Sequence, residues 1–187
     1  MRHAYIYRFL MLLFSAWVLV QCSRADEEDD VLSQEDISNI ILVMKDELTG
    51  EAETYNYTMN APVQPEIKLK NGRNYIVRAV FLNGNEDETE SIIEAKDEHF
   101  LLYRFEQSEI ELERLDDEES TRTDGARLGL KTRWNTINVA NGAKPQLVLT
   151  LVHGPMSVSE AQDGATYGTV EGGETDALAV FSLKIQP

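Results

Sequence analysis

The chain predicts an all-β fold, an antiparallel β-sandwich, and three observations carry that expectation. Apolar residues recur with period two in segment after segment, as a half-buried strand requires. Residues 74–82 show it best, with Tyr75, Val77, Ala79 and Phe81 on one face. Turn dipeptides separate these runs: Asn71-Gly72, Asn83-Gly84 and Asn141-Gly142. Only one segment reads as a helix.

The elements follow in order. Residues 37–44 (ISNIILVM) form a strand rich in β-branched side chains, and 53–59 (ETYNYTM) a second. A loop holding Pro62 and Pro65 leads to a strand at 66–70, closed by Asn71-Gly72 ahead of the strand at 74–82. Residues 88–96 (ETESIIEAK) are the helix, about two turns long, with acids at its start where the helix dipole favours them. Residues 99–105 (HFLLYRF) and 108–115 (SEIELERL) are strands, the latter with Ile110 and Leu112 inward and Glu109, Glu111 and Glu113 outward. A charged loop spans 116–124. Residues 128–135 place Leu128, Leu130, Thr132 and Trp134 on one side. Residues 146–153 (QLVLTLVH) are the strongest strand, 154–173 a long glycine-rich loop, and 177–185 the closing strand. Eight or nine strands and one short helix describe a sandwich of immunoglobulin-like or jelly-roll-like kind.

The first 36 residues carry an address. Arg2 and Arg8 precede a twelve-residue apolar run at 9–20, the pattern of an export signal over residues 1–21. That run is too short to span a bilayer, which needs about 20 residues. Cys22 follows at once and is the only cysteine, so no internal disulfide forms. Its place resembles the lipobox of bacterial lipoproteins, in which the cysteine is acylated; Leu19 fits, and Gln21 departs from the usual small residue. Acyl chains contribute about 0.8 kcal/mol per buried methylene to membrane anchoring. Residues 26–30 (DEEDD) then read as a solvated, disordered tether within 22–36, ahead of the domain at 37–187. The run also resembles the acid-rich signal that sends Bacteroidota lipoproteins to the cell surface. The expected location is the outer membrane, exposed outward, with the periplasmic face as the alternative.

Composition narrows the partners. The formal net charge of −16 argues against nucleic acid or anionic lipid as a ligand of a basic face.

Six motifs fall in one order: Asn71-Gly72-Arg73-Asn74-Tyr75, Phe81-Leu82-Asn83, the acidic helix into Asp97-Glu98-His99-Phe100, Gly129-Leu130-Lys131-Thr132, residues 149–155 (LTLVHGP), and Gly172-Gly173-Glu174-Thr175-Asp176. Over residues 37–187 this set resembles a family of small Bacteroidota outer-membrane lipoproteins of uncharacterised function. Its members are often labelled as having a type 1 periplasmic-binding fold. That architecture alternates strands with helices around parallel sheets, whereas this chain shows one short helix. The resemblance implies location and lipidation, and the same residue types at the histidine motifs.

Of the three histidines, His3 lies in the export segment, leaving His99 and His153. Both stand at strand ends beside loops, where sites are commonly built. His153 is in phase with Leu147, Leu149 and Leu151, so its ring is expected at the mouth of the core. With Glu98, Glu174 and Asp176 nearby in sequence, these residues form a candidate zinc or copper site. Shared ligation requires the rings within about 8 Å of each other. Alternatively, both histidines are hydrogen-bonded strand-end residues and Glu174-Thr175-Asp176 caps a turn; a separation of 54 positions is no metal-motif spacing.

Other chemistries find little support. There is no G-x-S-x-G nucleophile motif and no lysine-bearing phosphate loop. Carboxylates are too abundant for a glycosidase couple to stand out. Residues 116–124 lack the alternating ligands and central glycine of a calcium loop. Asn56-Tyr57-Thr58 is a formal glycosylation sequon without meaning in a bacterial protein, and Trp134 and the tyrosines are expected in the core. The expected function is a non-enzymatic lipoprotein capturing a metal or small ligand for an outer-membrane importer of the TonB-dependent kind. The alternative is a structural or interaction domain of the envelope without a small-molecule ligand.

Overall fold

The computed structural model of the protein describes residues 37–140 and 142–186. The export segment, Cys22 and the acidic run lie outside the described residues. Within them the chain forms β1 (Asn39–Asp46), β2 (Ala52–Thr58), β3 (Glu66–Leu69), β4 (Arg73–Asn83), β5 (Glu86–Asp87), helix α1 (Thr89–Glu94) and a 3₁₀ turn (Lys96–Glu98). It continues through β6 (His99–Glu106), β7 (Glu109–Arg114), β8 (Lys131–Asn138), β9 (Gln146–His153), β10 (Ser157–Asp163), β11 (Thr166–Glu171) and β12 (Glu174–Ile185).

These strands make two six-stranded sheets packed into a sandwich, as the period-two pattern predicts. The first runs β2-β1-β4-β8-β7, with β5 attached to β4; the second runs β10-β11-β6-β9-β12-β3. Every pairing is antiparallel except β12 with β3.

The core lies between the sheets, filled by alternate residues of each strand. Leu42, Val77, Phe81 and Trp134 from the first sheet meet Tyr103, Phe105, Leu149 and Phe181 from the second, all fully or almost fully buried. Each buried aliphatic or Phe side chain contributes about 1.5–3 kcal/mol of transfer free energy. Trp134 packs edge-on against Phe105 at 5.0 Å, and its Nε1–H donates to Thr132 Oγ1 at 2.9 Å. An indole buried this deeply needs that partner.

Three expectations are corrected. Residues 154–173 are no loop: β10 and β11 form a hairpin whose two-residue turn is Gly164-Ala165, with Gly164 supplying the positive φ at its first central position. β10 is the edge of its sheet and β11 lies between it and β6; both carry few apolar residues, so backbone pairing holds them more than a hydrophobic stripe. Counting β5, β10 and β11 brings the strands to twelve among the described residues. The helix is shorter than expected, six residues followed by the 3₁₀ turn. Finally, β8 begins at Lys131, because Gly129 at φ +97° breaks the extended run that Leu128 and Leu130 suggested.

Gly129 takes that conformation against a buried cation. A Cβ there would stand 2.1 Å from Arg114 Nη1. Arg114 is 2% exposed and donates to three carbonyls: Leu128 at 2.5 Å, Leu101 at 2.6 Å and Arg127 at 3.1 Å. Its guanidinium also lies over the Phe100 ring at 4.3 Å. Burial lowers the pKa of Arg114, opposed by nearby Tyr103 and Asp116.

Candidate metal centre

The site is assembled by strand register. Pairing of β6 with β9 sets His99 directly opposite His153. His99 is in phase with Leu101, Tyr103 and Phe105, and His153 with Leu147, Leu149 and Leu151, so both rings face the sandwich interior at one end. On the other side of β9, His153 stands opposite Glu174 of β12.

A regular ladder would leave that end with two imidazoles and no inward carboxylate. The register of β12 shifts between Thr175 and Ala177, making Asp176 the extra residue of a β-bulge. Bulges re-aim side chains. Asp176 and Ala177 are accordingly buried in succession, where a plain strand would alternate. Gly173, at φ +83°, admits the close approach of this strand: a Cβ there would lie 2.7 Å from the His153 carbonyl oxygen.

Three atoms converge as a result. His99 Nε2 lies 3.3 Å from His153 Nδ1 and 3.4 Å from Asp176 Oδ2, and His153 Nδ1 lies 3.4 Å from the same oxygen. The ring centroids are 5.0 Å apart, edge to face, well inside the limit for shared ligation. The side chain of His99 is fully buried, that of Asp176 is 7% exposed and that of His153 21%.

The Ala95 carbonyl assigns the tautomer of His99. Its Nδ1 faces the carbonyl oxygen of Ala95 at 3.0 Å, and a carbonyl only accepts. The ring hydrogen of neutral His99 therefore sits on Nδ1, leaving a lone pair on Nε2. A ligating histidine commonly donates its other N–H to a backbone carbonyl in this way. A hydrogen bond from His153 Nδ1–H to that lone pair would account for the two rings. It would not account for Asp176 Oδ2, which is buried and has no hydrogen-bond partner. An unsatisfied buried polar group costs about 1–3 kcal/mol, and more when charged.

His99, His153 and Asp176 are the group of potential ligands brought together among the described residues. The other two sequence candidates stand apart. Glu98 is exposed on the 3₁₀ turn, contributing its backbone carbonyl to the Gly154 N–H at 2.7 Å. Glu174 is exposed at the start of β12. The element missed by sequence reasoning is the Ala95 carbonyl at the end of α1. The last carbonyls of a helix lack intrahelical donors, so a histidine four residues on was the available signal.

The three aspartates of 116–124 are engaged by the chain itself. Asp116 Oδ1 accepts from the Leu130 N–H at 2.7 Å, Asp117 Oδ1 from the Ser120 hydroxyl at 3.0 Å, and Asp124 Oδ1 from the Ala126 N–H at 2.9 Å. Burial holds the Asp116 carboxyl above its usual range, opposed by the Leu130 N–H and the Arg114 charge. No family model, curated protein or solved structure matches this chain.

Proposed function

We propose that this is a lipid-anchored, non-enzymatic lipoprotein of the outer membrane, exposed at the cell surface, whose domain captures a zinc or copper ion through His99, His153 and Asp176. Acylated Cys22 is the anchor, and an outer-membrane importer of the TonB-dependent kind is the recipient. The observation that carries the metal reading is the buried, unpartnered Asp176 Oδ2 facing two imidazole nitrogens, one with its lone pair fixed by Ala95. A cation satisfies all three atoms together; a proton shared between the rings satisfies two.

Calorimetry on the full-length protein in detergent is the test. One equivalent of zinc or copper is expected to bind, and His153→Gln is expected to weaken binding at least tenfold. No heat with either ion, or unchanged binding in His153→Gln and Asp176→Asn alike, leaves the second reading, a structural or interaction domain with a hydrogen-bonded histidine pair. The anchor is tested separately in cells: Cys22→Ala is expected to leave the membrane fraction, and a variant that still sediments with outer membranes refutes acylation there.

A further inference from the structure

We infer that the ion held by His99, His153 and Asp176 is tetrahedral and zinc(II)-like, with three positions supplied by the chain and the fourth open to an exchangeable monodentate ligand. This rests on the metal reading above and concerns what kind of centre it is.

The triangle of ligand atoms carries the argument. Its edges are 3.3, 3.4 and 3.4 Å. Around a tetrahedral ion with bonds of about 2.0–2.1 Å, ligand atoms stand about 3.3–3.4 Å apart. Around an octahedral ion with bonds of about 2.1 Å, adjacent ligands stand about 3.0 Å apart. The arrangement is therefore already one face of a tetrahedron, and it would have to contract by a few tenths of an ångström on all three edges to suit an octahedral ion. A copper(I) ion lying within the triangle would need bonds of about 1.9–2.0 Å, and its soft chemistry favours thiolate or thioether over carboxylate. Two imidazoles and a carboxylate suit zinc better.

The triangle also has little freedom to adjust. His99 is fully buried and tied through Nδ1 to Ala95, and His153 is held in the β6–β9–β12 ladder opposite His99. Asp176 is set by the bulge, whose approach Gly173 permits. Ligands fixed before the ion arrives select by geometry.

The fourth position follows from the donor count. No further His, Cys, Asp or Glu joins the three among the described residues. Structural zinc sites close with four protein ligands, whereas sites with three keep a position for water or an incoming group. Solvent reaches the triangle along His153, the most exposed of the three. The ligand class is thus a single Lewis base: water at rest, displaced by a small anion or by an imidazole offered from a receiving protein.

Cobalt(II) in place of zinc reads both parts in the full-length protein. A tetrahedral centre is expected to absorb in the visible several-fold more strongly than hexaaqua cobalt, and azide or imidazole is expected to shift those bands. Weak, octahedral-type absorption overturns the geometry. Strong bands that neither probe moves overturn the open position. Titration calorimetry with zinc separates these results from failure of the metal reading itself: a protein binding neither ion overturns both, whereas one binding zinc with the wrong cobalt spectrum overturns this inference alone. Asp176→Asn, which keeps the side-chain shape, is expected to lose the intense bands, and their retention also counts against the assignment.

Discussion

Two polar groups, Arg114 of β7 and Asp176 of β12, are buried against neighbouring residues at the start of β6, and their surroundings are opposite. Arg114 is a buried cation answered by three carbonyl oxygens and the face of Phe100. Asp176 is a buried carboxylate with one oxygen that accepts no hydrogen bond from the described residues, two imidazole nitrogens standing 3.4 Å from it. Arg114 has even displaced side chains around it, since Gly129 and Gly168 both leave room where a Cβ would stand within 2.8 Å of its guanidinium. The contrast teaches how to tell a structural charge from a site. A charge that serves the fold is satisfied by the fold, whereas one that serves a ligand leaves its valence open.

The comparison breaks or sharpens at each end. The largest effect is expected at Arg114→Met, which strips donors from three buried carbonyls and should cost about 3–5 kcal/mol of stability in urea denaturation. Arg114→Lys should recover only part of this, because an ammonium lacks the planar fork that reaches several carbonyls together. Near-wild-type stability of the methionine variant would remove the contrast. Asp176→Asn should act in the other direction and more weakly. In metal-free protein an amide N–H can donate to His99 Nε2, so thermal unfolding should show unchanged stability or a gain of about 1 kcal/mol. The same variant should lose the stabilisation of about 2.7 kcal/mol that a ligand at one hundred times its dissociation constant gives the wild type. Clear destabilisation of the metal-free asparagine variant would mean that the carboxylate serves the fold after all.

Legibility in the sequence followed the strength of the alternation. β9 was readable to the residue because Leu147, Leu149 and Leu151 mark one face without interruption, and that phase also placed His153 at the mouth of the core. β10 and β11 were hidden, since Val158, Tyr167 and Val170 are too sparse among polar residues and glycines to reveal a period. At the site, both histidines and Asp176 were visible as candidates. Glu98 and Glu174 shared their motifs but face solvent, because adjacency in sequence does not give adjacency across a pleated sheet. The bulge itself was not readable: it is a mismatch between two strands, visible only when both are paired.

That bulge makes the ligand set a matter of counting. A bulge is one surplus residue, and no special residue type is needed to form it. The inward carboxylate and the core are therefore set separately: one surplus residue near the start of β12 turns Asp176 inward beside two histidines, and its deletion is expected to restore a plain ladder over the same Ala179, Phe181 and Leu183. One residue of length near the start of β12 thus decides whether a carboxylate joins the two histidines, with those hydrophobic positions untouched.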